Sequence, residues 1–354
     1  MDKLPPLKIG TAYHGNRMLH HARQDLEDMI SYGMNLVVHM LSHTDLNRHK
    51  NKMKEMFALS EEMGMEVWVD CWGLAGPPGD VSHFLAYHPE SHMVYSNGSL
   101  ATVYACLKDP ALLEFIKNWI DEVASCGGKT VFWDEPHMPS AMVDGKKVYS
   151  CCCPRCRKAF EEKYGHPMPE YATEETEEFG IDSIIEYLRE ITDYAASKGL
   201  KNATCIMPQT MSPKELEGLF KLPHLDNIGT DPYWRPVPGA APNPDVYKYV
   251  YEKTRVIVEL CEKYGKDLNL WIKAYNIAAG TEDDIVLATL AAYNAGARTI
   301  ISWSYYGAES NDYASAKPLA SWSRTRDAAR LIRDKETLRI AAECEKTMPS
   351  VYDK

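Results

Sequence analysis

The chain has 354 residues, of which 45% are hydrophobic and 25% are charged. This composition is typical of globular proteins and excludes a mainly disordered or fibrous chain, while the length fits two domains or one α/β barrel with insertions. The formal net charge of -11 argues against nucleic acid or a membrane surface as a partner.

No apolar segment of a signal peptide follows the N-terminal residues, and no run of about 18 apolar residues could span a bilayer. The longest candidate, residues 285–303, is interrupted by Asn294 and Arg298. We therefore expect a cytoplasmic protein whose ten cysteines remain reduced. The oligomeric state is not determined by the sequence, which is compatible with a homo-oligomer.

Apolar runs bounded by turn residues predict eight strands, each followed by a helical pattern. In chain order, the predicted pairs are 7–13 with 18–32, 36–41 with 45–63, 66–72 with 110–125, 130–135 with 181–198, 202–207 with a helix from Ser212-Pro213, 225–231 with 243–264, 268–275 with 281–295, and 298–305 with 324–335. Eight such units in series predict a (β/α)8 TIM barrel, with an open doubly wound sheet as the alternative. We expect one barrel domain over residues 1–354, with an insertion at about 137–175 after the fourth strand.

The carboxyl ends of barrel strands are where such folds hold their chemistry. Aromatic rings, carboxylates and amides gather at these ends, and this mixture is typical of a carbohydrate site, because rings stack on sugar C–H faces while polar groups bind hydroxyls. The alternative for each ring is packing at the barrel rim. The predicted substrate-binding residues are Tyr13, His14, His39, Asp70, Trp72, Trp133, His137, Gln209, Tyr233, Trp234, Lys273, Tyr275, Trp303 and Tyr305.

Glu135 is the leading candidate for a general acid. It ends the fourth predicted strand, and Pro136 favours an extended conformation before it. The adjacent carboxylate of Asp134 would raise its pKa, which suits an acid that keeps its proton near neutral pH. Neighbours on a regular strand point to opposite faces, so both acids reach one pocket only if the strand becomes irregular there. The alternative is a structural salt bridge to an arginine or lysine.

A cluster of cysteines follows the same strand. Cys151, Cys153 and Cys156 have the spacing of a metal-binding loop, and tetrahedral zinc needs a fourth ligand, for which Cys106 is the first candidate. A site closed by four sulfurs leaves no position for a substrate, so we expect structural Zn²⁺ that holds the insertion. Reduced cysteines without metal are the alternative. The other candidates for the fourth ligand are Cys152, Cys71 and Cys126.

Three motifs resemble one known family when taken in order and spacing. They are Ala105-Cys106-Leu107-Lys108-Asp109-Pro110, then Trp133-Asp134-Glu135-Pro136, then Cys151-x-Cys153-Pro154-Arg155-Cys156 followed by Tyr164-Gly165. Over residues 100–165 the chain is similar to the β-galactosidases of glycoside hydrolase family 42, which have a barrel, an Asn-Glu pair at strand four and a four-cysteine zinc site. The resemblance implies that Glu135 is the acid/base and that Cys106, Cys151, Cys153 and Cys156 bind zinc.

The sequence departs from that family at two points. Asp134 replaces the asparagine, and the seventh strand carries no glutamate that could act as nucleophile, since residues 270–275 read Leu-Trp-Ile-Lys-Ala-Tyr. The Asp-Glu order is similar to that of substrate-assisted β-N-acetylhexosaminidases, in which the aspartate orients the 2-acetamido group of the sugar as nucleophile. Inversion is the alternative, with Asp231 as first choice of base and Asp70 as second. Asp231 could also simply cap the turn before Pro232.

These observations predict a glycosidase that acts on a small or terminal sugar. Two other functions are compatible with the same residues. One is a barrel that binds a glycan without hydrolysing it. The other is a sugar lyase or isomerase in which Lys273 acts as a base or forms a Schiff base.

Overall fold

The computed structural model describes residues 6–71, 82–143, 145–208, 211–234 and 245–347. Two of the predicted substrate-binding residues, Trp72 and Gln209, lie outside these ranges. Among the described helices, none combines the length and apolar character that crossing a membrane requires.

Eight parallel strands in the described ranges close into a barrel, so the (β/α)8 prediction is confirmed and the open sheet is excluded. The first and last strands close the ring, with Lys8 opposite Thr299. The strands are β1 Lys8–Tyr13, β2 Leu36–Met40, β3 Glu66–Asp70, β4 Thr130–Trp133, β5 Lys201–Cys205, β6 Asn227–Thr230, β7 Asp267–Lys273 and β8 Thr299–Trp303.

Helices connect successive strands on the outside of the barrel. Some of these helices begin with ordinary capping chemistry: before the helix Pro110–Ser125, the Asp109 carboxylate accepts a hydrogen bond from the Ala111 amide, and Pro110 occupies the first helical turn. The helix predicted at 324–335 is longer and spans Pro318–Thr347. The other helices are Leu19–Ser31, Lys50–Glu62, Phe84–Tyr87, Pro110–Ser125, Pro154–Tyr164, Glu174–Ser197, Pro213–Phe220, Val246–Tyr264 and Asp283–Ala295.

Side chains alternate between the barrel interior and the surrounding helices, as the two-residue period of a strand requires. The interior is filled by a separate buried cluster: Ala12, Leu36, Val38, Met40, Trp68, Phe132, Ala203, Cys205, Trp271 and Ile301. The intervening strand residues pack on the helices in a larger cluster. This inward and outward alternation determines which residues at the strand ends can face a site above the barrel.

Two hairpins that the sequence pattern did not predict lie over the carboxyl end of β4. The first pairs His92–Val94 with Leu100–Ala105, and the second, in the predicted insertion, pairs Ser140–Val143 with Lys146–Tyr149. The Cys152 amide donates to the Val94 carbonyl at 2.7 Å, which joins the insertion to the first hairpin.

Candidate active site

The backbone changes direction immediately after β4. Glu135 has a φ of 35°, in the left-handed region that non-glycine residues rarely adopt. A regular strand would place Asp134 inward and Glu135 outward, but this conformation turns both residues into one cleft of about 430 Å³. The irregularity required for both acids to share a pocket is therefore present.

His137 contacts the same stretch of backbone. Its Nδ1 donates a hydrogen bond to the Glu135 carbonyl oxygen at 2.6 Å, and its ring lies 5.8 Å from that of Tyr104 in an edge-on arrangement. Both His137 and Tyr104 line the cleft. These contacts hold the turn in which Glu135 leaves the strand.

Asp231 follows β6 and lines the same cleft as the β4 acids. Its side chain is 8% exposed, its carboxyl is in hydrogen-bond contact with that of Glu135, and its Oδ1 accepts no hydrogen bond from a described donor. Burial, followed by the charge and hydrogen bond of Glu135 and the charge of Asp134, raises the pKa of Asp231 well above its ordinary value. Burial and the neighbouring carboxylates therefore favour the protonated form of Asp231.

Aromatic side chains form the walls of the cleft. Tyr233 and Tyr275 lie edge to face with ring centroids 5.5 Å apart. Together with Trp303, they are the predicted substrate-binding aromatic residues that line this cleft. Phe132 and Trp271 also line it, and both belong to the interior phase of their strands. Further lining residues that the sequence reasoning missed are Tyr104, Cys205, Asn311 and Tyr313.

Two predicted polar residues lie at the ends of strands but are not among the described residues that line the cleft. Lys273 is 3% exposed, and its Nζ lies 4.9 Å from the centroid of the Tyr275 ring. Asp70 is fully buried at the end of β3. Both are thus covered rather than open to a ligand in the cleft.

A second group of predicted residues surrounds a separate cavity of about 450 Å³ near β1 and β8. Tyr13 and Tyr305 each donate a hydrogen bond to Asp25, at 2.6 and 2.7 Å. His14 lines this cavity, 5.7 Å from the Trp303 ring, and burial lowers its pKa to about 4. The two tyrosines are therefore directed toward the first helix and not toward the three carboxyls.

Three of the predicted substrate-binding residues face the surrounding helices. Two lie at strand positions whose side chains point away from the barrel interior, and the third packs beyond the end of a strand. His39 Nε2 is 2.9 Å from Ser60 Oγ, and Trp133 Nε1 donates to Asn202 at 2.9 Å. Trp234 is 2% exposed and packs in the outer cluster. The structure does not bring these side chains into the cleft.

The four predicted metal ligands converge. The sulfurs of Cys106, Cys151, Cys153 and Cys156 lie within 4.8 Å of one another, all four residues are buried, and Cys106 is 3.5 Å from Cys156 and 3.6 Å from Cys153. Bonds of about 2.3 Å in a zinc tetrahedron would put the sulfurs about 3.8 Å apart. This cluster could hold a metal ion.

The other cysteines proposed as a fourth ligand are directed elsewhere. Cys152 Sγ is 3.9 Å from the Tyr149 carbonyl oxygen, and Cys126 Sγ is 3.8 Å from that of Lys50. The Cys71 thiol is hydrogen-bonded to the backbone of Asp134. None of the nine described cysteines forms a disulfide bond, so disulfides do not explain the cluster.

No protein-family model and no curated protein matches the chain. Solved structures are similar in fold. The catalytic domain of a β-amylase from Paenibacillus polymyxa is 10% identical, with a TM-score of 0.63 over 91% of this chain and 98% of that one. An endo-1,4-β-mannanase from Rhizomucor miehei is 10% identical (TM-score 0.60, 94% and 97% covered), and one from Thermotoga petrophila is 12% identical (0.57, 94% and 78%). At these identities the similarity establishes the (β/α)8 fold.

Proposed function

We propose that the protein is a glycoside hydrolase that acts on a small or terminal sugar. The observation that carries the proposal is the convergence of Asp134, Glu135 and Asp231 in one aromatic-walled cleft at the carboxyl end of the barrel. Carboxyl groups supply the acid and base of glycoside hydrolysis, and aromatic walls suit a sugar ring. The similar folds include a β-amylase and two β-mannanases, which supports the same reaction class.

Glu135 acts as the general acid in this proposal. It is partly exposed in the cleft, whereas Asp231 is buried and in contact with it, so Glu135 is the member of the pair that can reach a substrate oxygen. The proton passes to the glycosidic oxygen while the bond from that oxygen to the anomeric carbon breaks, and the leaving group departs as a neutral alcohol.

We infer that the second catalytic group belongs to the substrate rather than to the protein. An inverting pair needs its carboxyls about 6.5–9.5 Å apart to admit a water, and Asp231 would have to move away from Glu135 to provide that space. We propose instead that the carbonyl oxygen of a 2-acetamido group attacks the anomeric carbon while Asp134 accepts the acetamido N–H. Glu135, now a carboxylate, then takes a proton from the water that opens the cyclic intermediate, which regenerates the acid.

We further propose that the ion bound by the four cysteines is structural Zn²⁺. Four thiolate ligands suit zinc and leave no coordination position for a substrate. Three of the ligands belong to the insertion after β4, and Cys106 follows the first hairpin. The ion would therefore hold the insertion against the hairpin that carries Tyr104.

An activity screen on 4-nitrophenyl glycosides, including 2-acetamido-2-deoxy sugars, tests the proposal, with Glu135→Gln as the matched variant. Hydrolysis of at least one glycoside that the variant loses is expected. Sugar binding in calorimetry without hydrolysis would instead indicate a non-hydrolytic barrel. A covalent adduct on Lys273 after borohydride treatment with a sugar would indicate the lyase or isomerase.

A further inference from the structure

The backbone conformation of Glu135 is not favoured by the local sequence. Its φ of 35° lies in the left-handed region, which a residue with a side chain rarely adopts. Pro136, the next residue, favours an extended backbone at the position before it. A conformation of this kind persists only where the surrounding structure stabilises it. The groups that stabilise it therefore determine where the carboxyl of the proposed acid points.

The side chain of His137 closes a short ring on this part of the backbone. Its Nδ1 donates to the Glu135 carbonyl oxygen at 2.6 Å, across the intervening proline. In the described ranges no other donor forms a hydrogen bond with that oxygen. Rotation of the Glu135 backbone toward an extended conformation would turn the carbonyl away from the imidazole. The hydrogen bond therefore favours the left-handed conformation over the extended one.

The same hydrogen bond assigns the tautomer of the His137 ring. A carbonyl oxygen can only accept, so Nδ1 must carry the hydrogen, and Nε2 of the neutral ring is then an acceptor. The Tyr104 hydroxyl oxygen lies 3.4 Å from Nε2, at the long end of the hydrogen-bond range, and the two rings meet edge-on. A hydroxyl that donates to Nε2 favours the tautomer in which Nδ1 can donate to Glu135.

Tyr104 reaches this ring from a different part of the chain. It lies on the hairpin strand Leu100–Ala105, which pairs with His92–Val94. The chain continues into Cys106, whose amide donates to the Ser91 carbonyl oxygen at 2.7 Å. Backbone hydrogen bonds thus fix the segment that carries the Tyr104 hydroxyl, and this segment meets the turn after β4 only in the folded protein.

We propose that His137 is the positioning residue of the acid step, because it holds Glu135 in the conformation that faces the cleft, and that Tyr104 sets the tautomer this requires. The inference rests on the proposed function, since it concerns the acid step only if Glu135 protonates the leaving oxygen. His137 transfers no proton to the substrate in this arrangement. Its Nδ1 hydrogen remains in the bond to the backbone, and the imidazole acts through Glu135.

The test uses two variants of similar shape. His137→Asn retains an N–H near the position of Nδ1, whereas His137→Leu has no donor. The substrates are the phenyl and 3,4-dinitrophenyl glycosides of the sugar found in the activity screen, because the phenyl glycoside depends far more on protonation. In His137→Leu the ratio of kcat for the phenyl to that for the dinitrophenyl glycoside should fall at least about tenfold, as expected for the loss of one hydrogen bond. His137→Asn should keep the ratio within about threefold of the wild type. His224→Leu, at an exposed histidine outside the cleft, should leave it unchanged.

An unchanged ratio in His137→Leu would overturn the inference. An equal loss in His137→Asn would also overturn it, because the donor would then not be the cause. In ¹⁵N NMR of histidine-labelled protein, at a pH where the ring is neutral, the signal that disappears in His137→Asn should report the hydrogen on Nδ1. A hydrogen on Nε2 would contradict the proposed bond. Tyr104→Phe should increase the fraction of the other tautomer, and an unchanged fraction would exclude Tyr104 from the proposal.

Crystal structures of the variants separate this inference from the hydrolase proposal, since they do not depend on turnover. The φ of Glu135 should remain positive in His137→Asn and become negative in His137→Leu. If the wild type hydrolyses no glycoside but these conformations are found, the hydrolase proposal fails and the effect of His137 on the backbone stands. A positive φ in His137→Leu refutes the positioning role, whether or not the wild type is active.

Discussion

Replacing Asp231 with asparagine should change how the stability of the protein depends on pH. Burial and the negative charge of Glu135 raise the pKa of Asp231 well above its ordinary value, so the folded protein holds a proton that the unfolded chain releases. Asparagine has nearly the same shape and can donate an N–H to the Glu135 carboxylate, but it has no proton to titrate. The substitution therefore removes one linked proton while it retains the contact.

The direction follows from proton linkage. An unfolded aspartate has a pKa of about 3.9, and between that value and the raised folded pKa the folded state binds one proton more than the unfolded state. In this window the free energy of unfolding of the wild type falls by about 1.4 kcal/mol for each pH unit. The stabilisation by the protonated carboxyl is thus complete below about pH 3.9 and is lost as pH rises through the folded pKa. The advantage of Asp231→Asn over the wild type should grow with the same slope.

Urea denaturation at half-unit steps between about pH 4.5 and 8 would measure this difference. His39, whose pKa burial lowers to about 3, contributes equally to both proteins and cancels in the comparison. Asp312→Asn, a change at an exposed aspartate, is the matched control. Parallel curves for the wild type and Asp231→Asn over the whole range would refute the raised pKa of Asp231.

Three further predictions concern the proposed chemistry and the metal. Glu135→Gln should lower turnover by about 10²–10⁴ on substrates with poor leaving groups, and less on substrates with acidic ones; an unaffected rate on a poor leaving group, measured in steady-state assays, contradicts the acid role. Purified protein should contain one Zn²⁺ per chain with Zn–S distances of about 2.3 Å in X-ray absorption, and a chelator should lower its Tm. Cys106→Ala should lose that ion and Cys152→Ala should keep it; wild type without metal would refute the site. Asp134→Asn should lose hydrolysis of 2-acetamido sugars and bind their thiazoline analogues more weakly in inhibition assays, whereas full activity of this variant on a 2-hydroxy sugar would exclude substrate assistance.

The strand order and three of the four metal ligands could be predicted because their signals are local, whereas Cys106, distant in the chain, was one candidate among several that the family resemblance supported. Apolar runs, helix caps and cysteine spacing all operate over a few residues. The sequence shows less clearly whether a residue at a strand end points into the barrel or toward the helices. His39 and Trp133 were predicted to bind substrate, yet both face the helices. Phe132, two residues before Asp134, points into the barrel interior, and it therefore shows which side of β4 faces the cleft.

Three of the missed lining residues lie in segments without a buried periodic face, whereas Cys205 ends β5. Tyr104 lies on the hairpin strand Leu100–Ala105, while Asn311 and Tyr313 follow β8. The hairpin strand Ser140–Val143 is largely exposed, so hydrophobic alternation could not reveal it. Long-range contacts place these segments, including the hydrogen bond of 2.7 Å from the Asn276 amide to the Tyr313 carbonyl.

The acid function depends on one backbone conformation more than on the residue type. With Phe132 inward and Trp133 outward, continued alternation would leave Asp134 inward and turn Glu135 toward the helices. The left-handed conformation of Glu135, of a kind that costs about 1–3 kcal/mol outside glycine, reverses the direction of its side chain. It thereby places Glu135 against Asp231 and beside Asp134, and burial together with the charges of these two neighbours favours the protonated form of Asp231. The irregular end of β4 is what converts two adjacent acidic residues into a cluster able to protonate a leaving group.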